Sequence, residues 1–331
     1  MDFYKGKKVL VTGGTGTIGS PLVRRLIREG AHVSVVSIDS PERAAAVLDD
    51  PSLFQFGDLR DYHVCLDIAA AQDYVFHLMA VKANTQLGFS KVASAYVPFL
   101  LCNTNMMEAA FRQGVKRYMF VGSIGEYPPF NIRREDEMWN GLPSANDRYM
   151  GVAKRAGELQ AETYLHEYGW DAVRIVRLSN VYGPYDDFDP TTAHVIPALI
   201  SRAMDGENPL NVAGDGHAIR DFIFSEDAVE GMMCALEKAP PCYPINLGSG
   251  TGYTIKEVAE TIADCVPNKP LIQWDLSRPT GDSIRILAVE RAKEVLGFET
   301  KTSLQEGIRK TIEWYSQNTD IARRRGKELH G

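Results

Sequence analysis

Over its first 180 residues the chain alternates short, nearly continuous apolar runs with longer stretches whose apolar residues recur at helical spacing. The runs Lys8–Thr12, His32–Ser37, Leu53–Gly57, Tyr74–Leu78, Arg117–Ser123 and Ala172–Leu178 are mostly rich in Val, Ile and Phe. Strands without a polar face suit a sheet covered on both sides, as parallel sheets are. Between them, Pro21–Glu29, Phe99–Gln113 and Met150–Tyr168 are long and periodic enough for helices. Strand alternating with helix predicts right-handed crossovers and an α/β fold with a doubly wound parallel sheet.

The texture changes after Asn180. The segment VYGPYDDFDPTT is rich in Pro, Asp and Tyr and reads as an ordered loop. A helix over Ile196–Asp205, a turn at Gly214–Gly216, a strand near Asp221–Phe224 and a helix from Glu226 are expected next. The expected division is a cofactor domain over 1–180, to which the chain returns within 210–240, and a smaller C-terminal α/β substrate lobe from 181–209 and 241–331.

Composition narrows the partners. With 331 residues, 44% hydrophobic and 24% charged, the chain is long enough for a large core with an added lobe. A net charge of −7 disfavours nucleic acid or an anionic membrane, since both require a basic face. Five scattered cysteines with no C-x-x-C pair make a disulfide framework or thiolate metal site improbable, and no metal is expected. The N-terminus runs straight into a strand without signal-peptide features, so a cytoplasmic protein is expected.

The sequence Thr12-Gly13-Gly14-Thr15-Gly16-Thr17-Ile18-Gly19 lies between the first strand and the first helix. There Gly13, Gly16 and Gly19 supply a tight turn, close approach of backbone to a pyrophosphate, and close helix–sheet packing. This places a nicotinamide dinucleotide on a Rossmann-type sheet. An acidic residue about 20 positions on holds the ribose 2′-hydroxyl in NAD sites. Asp39 stands at that distance from Gly19, but the second strand ends at Ser37. If Ser37 takes the discriminating place, Arg43 can meet a 2′-phosphate; NAD is expected, with NADP left open. Asp58, after the third strand, is read either as an acceptor for the adenine amino group or as a turn aspartate.

The motifs TGGTGTIG, GDLRD, HLMA (77–80), VGSIGEY (121–127), MGVAK (150–154), NVYGP (180–184), GDGHAIRDFIFSEDA (214–228) and RPTGD (278–282) together resemble the extended short-chain dehydrogenase/reductase family. The resemblance covers nearly the whole chain. It implies cofactor contacts from Thr17, Ile18, Leu59, Leu78, Ala80 and Lys154, and a nucleotide sugar near Ser123, Asn180, His194, Arg220 and Arg278. The stretch NVYGPYDDFDPTTAHVIPALI is similar to that of the GDP-fucose synthases in the family.

In such enzymes a Ser or Thr, a Tyr and a Lys act together, and here the pattern is broken. Ser123 and Lys154 stand in place, but Met150 occupies the tyrosine position, and a thioether moves no proton. Tyr149 points about 100° away on a helix and would need the helix to start out of phase. The Asp-Glu pair of the 4,6-dehydratases is replaced by Ile124 and Gly125, so water elimination is not expected. Of the synthase Cys and His, the Cys place is Gly125 while His194 is kept. The set that remains suits oxidation of a secondary alcohol, the proton leaving to His194, Tyr149 or water. The resemblance implies NAD-dependent oxidation of a GDP-linked sugar at C4. A heptose leads, because family members that oxidise GDP-heptoses in capsule polysaccharide biosynthesis look similar. A 4-epimerase and a non-catalytic binder of NAD and a nucleotide sugar are the alternatives. A homodimer through a four-helix bundle of the helices at 99–113 and 150–168 is also implied.

Overall fold

The computed structural model describes residues 3–79, 92–278 and 281–322. Seven parallel strands form its large sheet. From edge to edge they are Ile245–Leu247, Val173–Leu178, Arg117–Ser123, Tyr74–His77, Lys8–Thr12, His32–Ser37 and Phe54–Phe56. The strands expected from apolar runs therefore stand where the sequence puts them, within a residue or two at their ends. The chain order reverses between Lys8–Thr12 and Tyr74–His77, which opens a crevice at the carboxyl ends of those strands.

Each face of the sheet carries its own core. Leu22, Val23 and Leu26 of helix Gly19–Arg28 pack with Met232, Ala235 and Leu236 of helix Ser225–Lys238 on one side. On the other, helices Tyr62–Ala69, Val92–Arg112 and Arg148–Tyr168 bury Cys65, Ile68, Cys102, Met106, Met107 and Ala161. Helix Val92–Arg112 starts seven residues before the expected Phe99. Pro98 sits inside the helix, beyond the first turn where proline is best tolerated.

Ile245–Leu247 is the outermost strand of the large sheet, so the return of the chain extends beyond the expected 210–240. By contrast Ile219–Phe224 lies in a smaller sheet with Gly252–Thr254, Ile284–Leu287, Ile132–Arg133 and Asn180–Tyr182. A third core, containing Phe188, Ile196, Leu199, Val258, Ile262, Ile308 and Tyr315, holds the rest of the C-terminal half together. Among the described residues all five cysteines are free, no acidic, His or Cys group is arranged for a metal, and no helix is long and apolar enough to cross a membrane.

Candidate active site

The glycine turn is built by bare backbone. Gly13 has φ +71, and a Cβ there would lie 3.4 Å from the Leu78 carbonyl carbon. A Cβ on Gly19 would fall 2.3 Å from the Gly13 carbonyl oxygen and 2.5 Å from Gly14 Cα. Gly16 closes the turn by donating to the Gly13 carbonyl at 3.2 Å. The helix that follows, Gly19–Arg28, has Ile18 at its N-cap and no side-chain cap, so its dipole points to the crevice. A pyrophosphate fits that arrangement. Thr17 donates to Asp186 at 3.0 Å, which ties the turn to the loop after Asn180–Tyr182.

At the end of strand His32–Ser37, Ser37 Oγ accepts the backbone N–H of Asp39 at 3.0 Å. The Asp39 carboxylate accepts from the Thr15 hydroxyl of the glycine turn, and Arg43 Nε stands 3.7 Å from it. Asp39 therefore carries its charge beside the turn, with the Arg43 cation against it. Asp58 is engaged by Arg60, whose hydrogen bonds hold its carboxyl below the ordinary range. Leu59 is buried, Leu78 abuts Gly13, and Ala80 lies outside the described residues.

Ser123 ends its strand at the same edge of the sheet. Its Oγ accepts the Gly125 N–H at 3.1 Å, while the Glu126 carboxyl accepts the Ser123 N–H. Helix Arg148–Tyr168 is pressed onto this turn: a Cβ on Gly151 would come 2.5 Å from the Gly125 carbonyl oxygen. Gly125 has little room for a cysteine, since its own Cβ would lie 3.2 Å from Asp147 Cγ. Lys154 donates to the Val121 carbonyl at 2.6 Å and lies 5.1 Å from the centre of the Phe99 ring. One turn before it, Met150 is half-buried, and Tyr149 is 49% exposed.

On the far side, Asn180 Nδ2 donates to the Asp221 carbonyl at 2.7 Å. Arg220 pairs in register with Arg285 of the neighbouring strand. Arg133, fully buried, donates to the Ile124 carbonyl at 2.6 Å and to Asp282 at 2.6 Å; Arg285 reaches Asp147 at 2.9 Å. Burial first, then the Arg285 charge, lower both Arg133 and Arg220 to about 10. Three arginines against two carboxylates beside the Ser123 turn suit a phosphate-bearing ligand. Arg278 is not drawn into that group; its largely exposed guanidinium lies 3.3 Å from Asp275. His194 is exposed at the start of helix Val195–Met204.

Sequence reasoning did not single out Arg133, Arg285, Glu126, Glu158 or Arg177. The last sits in a strand buried along its whole length, VRIVRL, and a charge in such a run requires a buried partner. That was the available signal.

A seven-stranded parallel sheet with an uncapped helix over a bare glycine turn defines a dinucleotide-binding α/β protein. The family model described as NAD dependent epimerase/dehydratase family matches residues 9–248, and the chain belongs to that family. NAD or NADP fits as its cofactor. The chain is 30% identical over 327 residues to the probable GDP-L-fucose synthase 1 of Oryza sativa subsp. japonica, covering 97% of this chain and 95% of the relative. It is likewise 30% identical over 328 residues to the dTDP-4-dehydro-6-deoxy-D-allose reductase of Streptomyces bikiniensis, covering 96% and 99%. Among solved structures, epimerase Mth375 of Methanothermobacter thermautotrophicus is 29% identical, with a TM-score of 0.86, over 98% of this chain and 96% of that one.

Proposed function

We propose that this chain oxidises C4 of a GDP-linked sugar to the 4-keto sugar with NAD, a heptose being the leading substrate. One observation carries the reading. Ser123 ends its strand at the carboxyl edge of the sheet and Lys154 donates to the carbonyl of Val121 in the same strand, while the helix position one turn before Lys154 is a methionine. A site of that kind keeps the groups that orient the sugar oxygen and lacks the phenol, so another group must take the proton that leaves on oxidation. Gly13, Gly16, Thr17, Ile18 and Gly19 hold the pyrophosphate, Asp39 the adenosine ribose and Lys154 the nicotinamide ribose. The nicotinamide, when bound, supplies the hydride acceptor. Ser123 holds the sugar oxygen, and Asn180 and Arg220, with Arg133 and Arg285 added, take the nucleotide diphosphate. His194 receives the released proton. Relatives named for a GDP-linked sugar and for a dTDP-linked 4-keto sugar support a nucleotide sugar as ligand.

The test is absorbance of the reduced nicotinamide as GDP-heptose, GDP-mannose and UDP sugars are added in turn. Growth with a GDP sugar is expected; no change with any of them, even with a keto-acid acceptor present, rejects the reading. Likeness to a solved epimerase favours a second reading, 4-epimerisation, which forms product without net cofactor reduction. We further infer a homodimer through helices Val92–Arg112 and Arg148–Tyr168, whose Val97, Leu101 and Leu159 are exposed apolar positions. Sedimentation of the full chain checks this.

A further inference from the structure

We propose that Asp147 reads the sugar: its carboxylate accepts a ring hydroxyl of the substrate, between the arginines of the diphosphate end and the Ser123 turn. The inference rests on the reading of the ligand as a nucleotide sugar whose reacting carbon lies at Ser123.

Asp147 stands at the N-cap of helix Arg148–Tyr168, where an aspartate ordinarily accepts the first N–H groups of its own helix. Here its side chain makes no such bond. The backbone holds the local structure instead: Gly151 donates to the Asp147 carbonyl at 2.7 Å, and Asp147 donates to the Ser144 carbonyl at 2.9 Å. The carboxylate is left to join two parts of the site. Its Oδ2 lies 2.9 Å from Arg285 Nη2 and accepts from Ser144 Oγ at 3.3 Å. Its Oδ1 lies 3.2 Å from where Gly125 would carry a Cβ, and Gly125 donates its N–H to Ser123 Oγ.

The residues before Asp147 follow the same path. Asn146 Nδ2 is 2.8 Å from where Gly281 would carry a Cβ, a point 3.8 Å from Arg220 Nη2. The segment 144–147 therefore runs from Arg220 and Arg285 to the Ser123 turn. In a nucleotide sugar, the only part between the diphosphate and the reacting carbon is the sugar ring. A ligand with its diphosphate on the arginines and that carbon at Ser123 lays its ring along this segment, against the Asp147 carboxylate.

Charge decides what the carboxylate does there. Arg133 already has Asp282 at 2.6 Å, so the buried guanidinium is matched without Asp147. For a diphosphate alone Asp147 is a liability, since it engages Arg285 and repels an anion. For a sugar it is an asset. A carboxylate only accepts, and its bonds from hydroxyl groups are shorter and stronger than those between uncharged partners. Among the described residues Oδ1 accepts no hydrogen bond, and the side chain is 28% exposed, so a hydroxyl can reach it. Arg285 and Ser144 on Oδ2 hold the group in place for that contact.

The test is calorimetric titration of the full, NAD-loaded chain with GDP and with GDP-mannose, for the unmutated protein, Asp147→Ala and Asp147→Asn. GDP carries the diphosphate without the sugar, so the ratio of the two dissociation constants isolates the sugar. That ratio should move against GDP-mannose by about 10-fold in Asp147→Ala, the size of one hydrogen bond to a charged group. Asp147→Asn, which keeps an uncharged oxygen, should move it less. An unmoved ratio, with both ligands gaining or losing affinity together, overturns the proposal, because a carboxylate that only positions Arg285 or the helix affects both alike. In the unmutated chain either GDP-2-deoxymannose or GDP-3-deoxymannose should bind about 10-fold more weakly than GDP-mannose, and no more weakly than it in Asp147→Ala. Equal affinity of the unmutated chain for all three sugars overturns the proposal without any variant having to fold. A chain that binds neither GDP nor GDP-mannose defeats the GDP-sugar reading and this inference with it. Binding without nicotinamide reduction defeats the dehydrogenase reading alone and leaves the ratio to decide this one.

Discussion

Arg177 and Glu158 form a two-point ion pair inside the protein: Nε donates to Oε1 at 2.8 Å and Nη2 to Oε2 at 2.6 Å. Arg177 also donates to the Tyr127 hydroxyl at 2.8 Å and to the Glu135 carbonyl at 2.9 Å, so one guanidinium joins the large sheet, its helix layer and the Ser123 turn. Removing one partner leaves a buried charge with nothing to answer it, which costs on the order of 3–5 kcal/mol. Arg177→Leu should lower the urea midpoint accordingly. The double variant Arg177→Leu, Glu158→Leu should lose less than the sum of the singles. Additive losses in such a cycle would show that the pair is not coupled.

This pair also marks where the sequence stops being legible. The six strands of the large sheet that precede residue 180 were readable because their apolar residues run nearly unbroken, as strands covered on both faces do. The glycine turn was readable because its spacing answers to backbone contact: Gly13 against Leu78 and Gly19 against Gly13 and Gly14 are local to one strand–turn–helix unit. Ser123 and Lys154 were found through a resemblance that fixes their spacing to neighbours. Glu126, Glu158 and Arg177 come from a turn, a helix and a strand, and their meeting depends on how those pieces stack. Nothing in a local window records that distance. The arginines at 133 and 285 were missed for the same reason.

Asp39 governs the choice between NAD and NADP. Its carboxylate holds the Thr15 hydroxyl and stands beside Arg43, so a 2′-phosphate would have to enter against it. Like charges brought together at a binding site cost several kcal/mol. Asp39→Ser should move the ratio of NADP to NAD affinities toward NADP by on the order of 10- to 100-fold, with Arg43 released to meet the phosphate. Titration of both cofactors against tryptophan fluorescence measures the ratio, and an unchanged preference would place the discriminating contact at Ser37.

Restoring the phenol at position 150 tests the arrangement of the reacting end. Met150 is half-buried one turn before Lys154, so a tyrosine there occupies the same side of the helix. A positioned general acid or base contributes about 10²–10⁴-fold. Met150→Tyr should raise the rate of interconversion between alcohol and ketone by on the order of 10²-fold, read as isotope exchange at the sugar carbon. Tyr149→Phe should leave the rate within about twofold, since Tyr149 points about 100° away from the helix position that Met150 holds. A large loss in Tyr149→Phe would reverse the roles of the two positions.

His77 links stability to acid. It is buried in the strand beside the glycine turn, with Nδ1 3.0 Å from the Thr12 hydroxyl and Nε2 2.9 Å from Asn103 Oδ1. Asn103 Oδ1 can only accept, so Nε2 carries the proton and Nδ1 accepts from Thr12. A second proton on the ring would abolish that acceptor in a buried site, and burial lowers the histidine to about 4. The unfolded chain binds a proton near pH 6.5. Between those values the unfolded state holds more protons than the folded one, so the contribution of His77 is full above 6.5 and is lost as pH falls toward 4. The difference amounts to about 3 kcal/mol. His77→Gln should therefore flatten the fall in unfolding free energy between pH 7 and 5 relative to the unmutated chain, measured by urea titration at each pH. Parallel curves for the two proteins would mean that His77 charges without penalty, and that the hydrogen bonds drawn from Thr12 and Asn103 do not hold it neutral.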